Sequence, residues 1–412
     1  MKSTFAFCML LWFCLPNCKD SVVSGDGESK PDVVRPLTAS EKSLVRSSNQ
    51  FGFRLLKAVN ESEAGGDVFI SPFSVSMALG MVLNGANGST GEAVQSTLGF
   101  SSMTREEINK IYFALIHLLR NLDPRVQFDI ANSIWHRLGF TVETEFLETN
   151  KKYFEAIVTG LNFGAPDAAK TINEWVDVST KGKIREIVPD PIADEVMMYL
   201  INAIYFKGTW MYQFDKTRTM DAPFYRSDGV IRTTQMMHMR GTLVYVETPS
   251  YQVIELPYGD SLFSMIVVLP KPGHSIDAFV EKLTDDSWGT LKDGLDPQLV
   301  TLYLPKFTLE YEKGLVEVLT ALGMGVAFDG ELADFTGINR NGELYISDVK
   351  HKTFVQVDEE GTEAAAVTSV EIRVTSLPAE VVMRVDRPFF FVITERHSGT
   401  LLFMGKVMEP SA

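Results

Sequence analysis

The order of apolar and polar residues along the chain predicts a mixture of helices and strands. Over 104–122, Ile108, Ile111, Tyr112, Leu115, Leu118, Leu119 and Leu122 recur at helical spacing, with Thr104 placed as a cap ahead of Glu106 and Glu107. Over 126–134, Val126, Phe128, Ile130 and Ile134 alternate with other residues, the period of a half-buried strand. The run MMYLINAIYF (197–206) is almost continuously apolar, as expected of a strand covered on both faces, and LFSMIVVLP (262–270) is similar. The last third is mostly strand, over 299–311, 343–358, 380–386, 388–394 and 400–407. No strict βαβ rhythm orders these elements. The pattern therefore predicts an α+β fold, with many antiparallel strands and helices packed around them.

The N-terminus departs from this alternation. Residues 1–18, MKSTFAFCMLLWFCLPNC, place one Lys before the apolar run Phe5–Leu15 and then turn small and polar. This is the pattern of a secretory signal peptide, with cleavage expected between residues 17 and 25. Residues 19–36 are polar and Gly/Ser-rich and read as a flexible lead-in. No linker or internal repeat divides the remainder, so 37–410 is expected to be one large domain. Cys8, Cys14 and Cys18, the three cysteines of the chain, all lie in the signal segment. Cleavage after Cys18 leaves a secreted protein without disulfides, whose stability must come from a large core.

Composition supports that core and narrows the function. Of 412 residues, 45% are hydrophobic and 11% aromatic, which excludes disorder for most of the chain. The net charge of -15 argues against a nucleic-acid partner. No apolar run after residue 18 reaches the ~18 residues of a membrane span. In a secreted chain, the sequons at Asn60 and Asn87 are expected to be glycosylated surface loops. His117, His136, His238, His274, His351 and His397 show no metal-ligand spacing, and no GxSxG, Walker A or GxGxxG motif is present. Neither an enzyme nor a cofactor or metal is expected.

The most informative stretch is 357–376, VDEEGTEAAAVTSVEIRVTS. At period two one face carries Thr362, Ala364, Ala366, Thr368, Val370, Ile372 and Val374. The other carries Glu363, Ala365, Val367, Ser369, Glu371, Arg373 and Thr375, with every charge. This is a strand with one buried face. An ordinary sheet strand would share the alternation. Pro378 ends it, however, and the small residues at its start fill a core poorly. A segment exposed in one state and inserted as a strand in another accounts for both features.

On these residues the chain resembles a serpin over 37–410, of the secreted, inhibitory type seen in arthropods and other animals. The hinge EEGTEAAA (359–366) is the most specific signal. DVFISPFSVSMALGMVLNGANGST (67–90) resembles the early helix beneath the main sheet, and INAIYFKGTWMYQF (201–214) the central strand and its exit. VKHKTFVQVDEEG (349–361) is similar to the strand feeding the mobile loop, and RPFFFVITERHSGTLLFMGKVMEP (387–410) to the C-terminal signature.

The resemblance implies three β-sheets, about nine helices and an exposed reactive-centre loop spanning 359–380. It implies a monomer that traps an extracellular serine protease. The protease attacks the loop and forms an acyl-enzyme, and the loop inserts before deacylation. Glu359, Gly361, Thr362, Ala364 and Ala366 would form the hinge. Thr362 would sit near the loop's exposed base and be the first side chain buried on insertion. Ser71, Ser74, Asn202 and His351 match the polar shutter where strands part, and they would equally serve as satisfied core polar groups. Trp210 matches the breach at the top of the sheet, or a core aromatic.

The scissile bond has three readings. Arg373–Val374 suits a trypsin-like protease, whose pocket selects Arg. Family spacing counted from Glu359 gives Thr375–Ser376, which suits an elastase-like one. Leu377 would suit a chymotrypsin-like one. A carrier or storage role without inhibition is the alternative function. Activation by heparin or another glycosaminoglycan has little support. The 104–122 helix offers Arg105, Lys110 and Arg120, and Lys181, Lys183 and Arg185 form a small second patch.

Overall fold

The structure, a computed structural model, describes residues 34–63, 65–342, 344–362 and 380–411. The expected signal peptide, most of the lead-in and residues 363–379 lie outside the described residues. Leu37–Ala412 forms one compact unit.

Nine α-helices lie among the described residues: α1 (Ala39–Ser62), α2 (Pro72–Leu83), α3 (Gly88–Leu98), α4 (Arg105–Arg120), α5 (Thr144–Phe154), α6 (Ala168–Ser179), α7 (Ile276–Lys282), α8 (Asp285–Asp293) and the short α9 (Val316–Leu319). The strands are β1 (Val68–Ile70), β2 (Val126–Arg137), β3 (Ile157–Leu161), β4 (Met198–Thr209), β5 (Met220–Tyr225), β6 (Ile231–Glu247), β7 (Tyr251–Tyr258) and β8 (Phe263–Pro270). They continue with β9 (Asp296–Pro305), β10 (Phe307–Gly314), β11 (Lys350–Val357), β12 (Gly361–Thr362), β13 (Val381–Arg384), β14 (Phe389–Glu395) and β15 (Leu401–Val407). A six-stranded sheet runs β10-β11-β12-β4-β2-β3. A nine-stranded sheet runs β1-β15-β14-β8-β7-β6-β9-β13, with β5 added on β6. The long β6 pairs β5 at its start, β9 along most of its length and β7 at its end, so one strand joins two of the three expected sheets.

Local chemistry explains the elements that position the site. The α4 helix starts where predicted, with Thr104 and Glu107 forming a reciprocal capping box. Its stripe of Ile108, Ile111, Tyr112, Leu115 and Leu119 is buried. The α2 helix is capped by Ser71, opens on Pro72 and is buried almost all round. It packs against β4 of one sheet and β15 of the other. The opposite face of β4 meets α6, where Ile201 packs with Trp135, Ile172 and Val176. The run 197–206 is thus covered on both faces, as its composition predicts.

Two expected strands are shorter or divided. The run 299–311 breaks at Lys306, whose N–H donates to Gln235 O, and the chain passes from one sheet to the other. Residues before Lys350 are drawn out of the 343–358 strand, because Ile346 N–H donates to Ala327 O and Val349 O accepts from Leu315.

Candidate functional site: the loop base and the polar cluster beneath the sheet

The loop base is a tight hairpin built into the six-stranded sheet. Asp358 N–H donates to Gly361 O at 2.9 Å, and the Asp358 carboxylate accepts from the N–H groups of Glu360 and Gly361 at 2.9 and 3.3 Å. This side-chain turn folds the chain back on β11. Thr362 then pairs with Val357 on one side and Gly208 on the other, and Gly361 pairs with Thr209. Glycine is required at 361, since a Cβ there would collide with the carbonyl oxygen of Gly208.

Three groups hold this hairpin. Trp210 is buried, stacks on Tyr258 at 4.3 Å with the rings 10° apart, and donates its indole N–H to Asp358 O at 2.9 Å. Its backbone N–H bonds Glu360 O at 2.8 Å. Glu359 is only 4% exposed, yet it is paired: Lys306 lies 2.9 Å away and the Thr219 hydroxyl donates to it at 2.7 Å. Burial pushes this carboxyl up, but Lys306 and Thr219 outweigh it and hold it below its ordinary value. Glu360 is paired with Lys216.

The expectation for Thr362 needs correction. It does not sit at an exposed base. It is 2% exposed inside the sheet, and its hydroxyl shares a 2.6 Å hydrogen bond with the Tyr258 hydroxyl. The cause is local, because the Asp358 turn brings Thr362 directly between β11 and β4. Ala364, Ala366, Arg373, Val374, Thr375, Ser376 and Leu377 lie outside the described residues.

The four shutter residues do meet. His351 on β11 accepts the Ser71 N–H at 3.0 Å through Nε2, and Ser71 Oγ donates to Leu402 O at 2.7 Å. Ser71 Oγ also caps Ser74 N–H, and Ser74 Oγ donates to Asn202 on β4. Asn202 Nδ2 donates to Asn132 Oδ1 on β2 at 2.7 Å, and Asn132 Nδ2 to Phe154 O at 2.7 Å. The cluster therefore links β11 to β4 and β2 through the start of α2. Burial pushes the His351 imidazole down to about 4, so it is neutral as an acceptor requires. Among the described residues no ladder joins β11 directly to β4; only β12 stands between them, at one end.

A family model described as Serpin (serine protease inhibitor) matches residues 46–410. The chain belongs to the serpin family. It is 35% identical to human neuroserpin over 373 residues, covering 87% of this chain and 89% of that one. It is 32% identical to human leukocyte elastase inhibitor, covering 90% of this chain and 100% of that one. Among solved structures it resembles the thermophilic serpin tengpin in its native state, at TM-score 0.81, 31% identity and coverage of 91% and 96%. It also resembles human thyroxine-binding globulin complexed with its ligand, at TM-score 0.83, 28% identity and coverage of 91% and 100%. The fold is that of serpins, and serpins generally form complexes with serine proteases.

Several residues of this serpin's site escape sequence reasoning. Tyr258 ends β7, Lys306 lies between β9 and β10, and Lys216 and Thr219 share the connection from β4 to β5, and no spacing announces them. Asn132 did leave a signal, because it occupies the apolar phase set by Val126, Phe128, Ile130 and Ile134.

Of the two sequons, Asn87 lies in the connection between α2 and α3, whereas Asn60 is helical. Asn60 is in the last turn of α1 and accepts from the buried Lys406 ammonium at 2.5 Å. Asn87 caps α3, and in either orientation its amide bonds the Thr336 hydroxyl at 2.9 Å. Five of the basic residues considered for glycosaminoglycan make contacts of their own. Arg105 binds Ala86 O, Lys110 pairs with Glu106 at 2.7 Å and Arg120 pairs with Glu155. Lys181 lies 3.7 Å from Asp129, and Lys183 covers the Phe354 ring at 4.7 Å.

Proposed function

We propose that this serpin is a secreted suicide inhibitor of serine proteases, acting on a trypsin-like enzyme through the Arg373–Val374 bond. The observation that carries the reading is the position of Gly361 and Thr362 between β11 and β4. A segment that continues from Thr362 along this seam adds a strand antiparallel to both neighbours. The alternating face from Ala364 to Ile372 has the side chains such a strand would bury, small first and branched later.

The chemistry follows from that geometry. The protease serine attacks the Arg373 carbonyl, and its own base passes the proton to the departing Val374 amine. The new chain end is then free to travel with the inserting segment while the acyl bond survives. Insertion gains ladder hydrogen bonds and buries Val370 and Ile372. Thr375–Ser376 is the alternative bond, for an elastase-like target.

The test is incubation with a trypsin-like protease, followed by denaturing gel electrophoresis and mass spectrometry of the released C-terminal peptide. A covalent adduct and a peptide beginning at Val374 are expected. Clean loop cleavage with fully active protease would favour a carrier role instead.

A further inference from the structure

The two sequons hold their amides in opposite ways. Asn60 faces the Lys406 ammonium, which is wholly buried and reaches Asn60 Oδ1 at 2.5 Å and Asp277 Oδ1 on α7 at 2.7 Å. An ammonium offers donors and no acceptor, so the amide oxygen must point inward and Nδ2 outward. Among the described residues Asn60 Nδ2 has no partner. The buried side-chain nitrogen and oxygen atoms left without one are His136 Nδ1, Thr234 Oγ1, Trp288 Nε1 and Tyr311 OH, so the Asn60 nitrogen meets solvent.

Asn87 is the reverse, although it lies in a connection and Asn60 in a helix. Its backbone N–H donates to Asp334 O at 2.8 Å. With the side-chain amide in one orientation, Nδ2 donates to the Thr336 hydroxyl at 2.9 Å and Oδ1 accepts from Arg105 at 3.4 Å. In the other, the nitrogen donates to Ala86 O at 3.2 Å, and the oxygen accepts from Gly337 N–H at 3.3 Å and from the Thr336 hydroxyl at 2.9 Å. Both amide atoms face protein either way. Gly337 is itself pressed on this connection, since a Cβ there would lie 2.8 Å from Gly85 O. A sugar on the Asn87 nitrogen has to displace the 334–337 segment from the start of α3.

We propose that Asn60 carries an N-linked oligosaccharide in the secreted protein and that Asn87 carries none. The inference rests on the secretory reading given above, and not on inhibition. Oligosaccharide is transferred while the chain is being made, before these contacts exist, and chains that cannot then fold are held back. A sugar on Asn60 replaces one hydrogen of an outward nitrogen and leaves the oxygen that holds Lys406, so folding proceeds. It also stands clear of the reactive loop. Glu63, three residues beyond Asn60, pairs with Lys313 at 2.7 Å. Lys313 lies opposite His351, six residues along β10 from Phe307, which lies opposite Val357 beside the hinge. At strand spacing that is about 20 Å.

The experiment expresses the full chain in an animal cell line and takes protein from the medium. Peptide-N-glycosidase removes the sugar and converts the Asn that carried it to Asp, which mass spectrometry of the peptides reads at each sequon. Conversion at Asn60 in most molecules, and none at Asn87, is expected. Ser62→Ala removes the first sequon and keeps the Asn60–Lys406 bond, and it should abolish the mobility shift that the glycosidase produces on a denaturing gel. Ser89→Ala removes the second and should run as wild type, before and after the glycosidase. Sugar at Asn87 in the medium, or a secreted chain bare at Asn60, would overturn the assignment. A chain that stays in the cell with neither sequon modified would overturn the secretory reading, and the site with it.

Discussion

The Tyr258 hydroxyl and the Thr362 hydroxyl share a 2.6 Å hydrogen bond, and both side chains are almost wholly buried. The bond ties the start of the reactive loop to the end of β7, on the ring that also stacks against Trp210. Burial pushes the Tyr258 phenol far above its ordinary value, so the neutral hydroxyl persists at any physiological pH. Thr362→Val removes one partner at nearly constant volume and leaves a buried hydroxyl unsatisfied, at a cost of about 1–3 kcal/mol. Adding Tyr258→Phe removes the orphan, so the double variant should recover most of the loss. Chemical denaturation of the two single variants and the pair checks this, and additive losses would deny the coupling.

Replacing Thr362 with Arg tests a different property. A guanidinium at this position is buried and unpaired, costing several kcal/mol. Expulsion of the hinge from the sheet avoids that cost, so the variant should fold with the hairpin displaced and the Trp210 fluorescence altered. Protease should cleave the same bond and be released active, because re-entry of residue 362 is blocked. Adduct at wild-type stoichiometry would mean that insertion does not proceed from this hinge.

The polar cluster beneath the sheet has an acid limit set by His351. Folding keeps the imidazole neutral, with its pKa pushed down to about 4, against about 6.5 in the unfolded chain. The unfolded state therefore binds the proton first. The contribution is fully present above about pH 6.5 and is lost as pH falls toward 4, by roughly 3 kcal/mol in all. Loss of the depressed Glu359 carboxylate adds to the fall at the acid end. Melting temperatures measured from pH 7 to 4 should drop over this interval. His351→Gln, which can still accept the Ser71 N–H, should flatten the drop; parallel curves would locate the sensitivity elsewhere.

Specificity is read at the loop itself. Arg373→Ala is expected to abolish adduct formation with trypsin-like proteases, whose pocket selects Arg, and to leave the melting temperature unchanged. Retained inhibition would transfer the scissile bond to Thr375–Ser376. The released peptide's N-terminal residue separates the two.

Loop cleavage should raise stability. An added central strand supplies ladder bonds on both sides and buries the aliphatic end of the alternating face. Scanning calorimetry before and after cleavage at a single loop bond is expected to show a melting temperature higher by ten degrees or more, on the order of the shift that several kcal/mol gives a domain this large. An unchanged transition would count against insertion.

Much of the fold was legible in the chain because each signal was local. The α4 stripe, the Thr104 cap, the alternation from Val126 and the doubly covered 197–206 strand all follow from spacing within a few residues. The alternation of small, uncharged positions after Gly361 is likewise a pattern along one segment. The sequon at Asn60 falls in a helix and not a loop because a three-residue motif carries no information on the helix around it.

What the sequence by itself determined was the 104–122 helix, several of the strands, the alternating loop segment and the polar residues set into apolar surroundings. What only the tertiary structure decided was which of those residues stand together, and whether the hinge is inside or outside the sheet. Thr362 is buried because the Asp358 turn, the Gly208 backbone and the Tyr258 ring converge on it from separate stretches of chain. Ser71, Asn132, Asn202 and His351 form one hydrogen-bonded path because α2 threads between two sheets. Such contacts depend on distances between segments far apart in sequence, and hydrophobic periodicity, which reports only one residue's face relative to its neighbours, does not encode them.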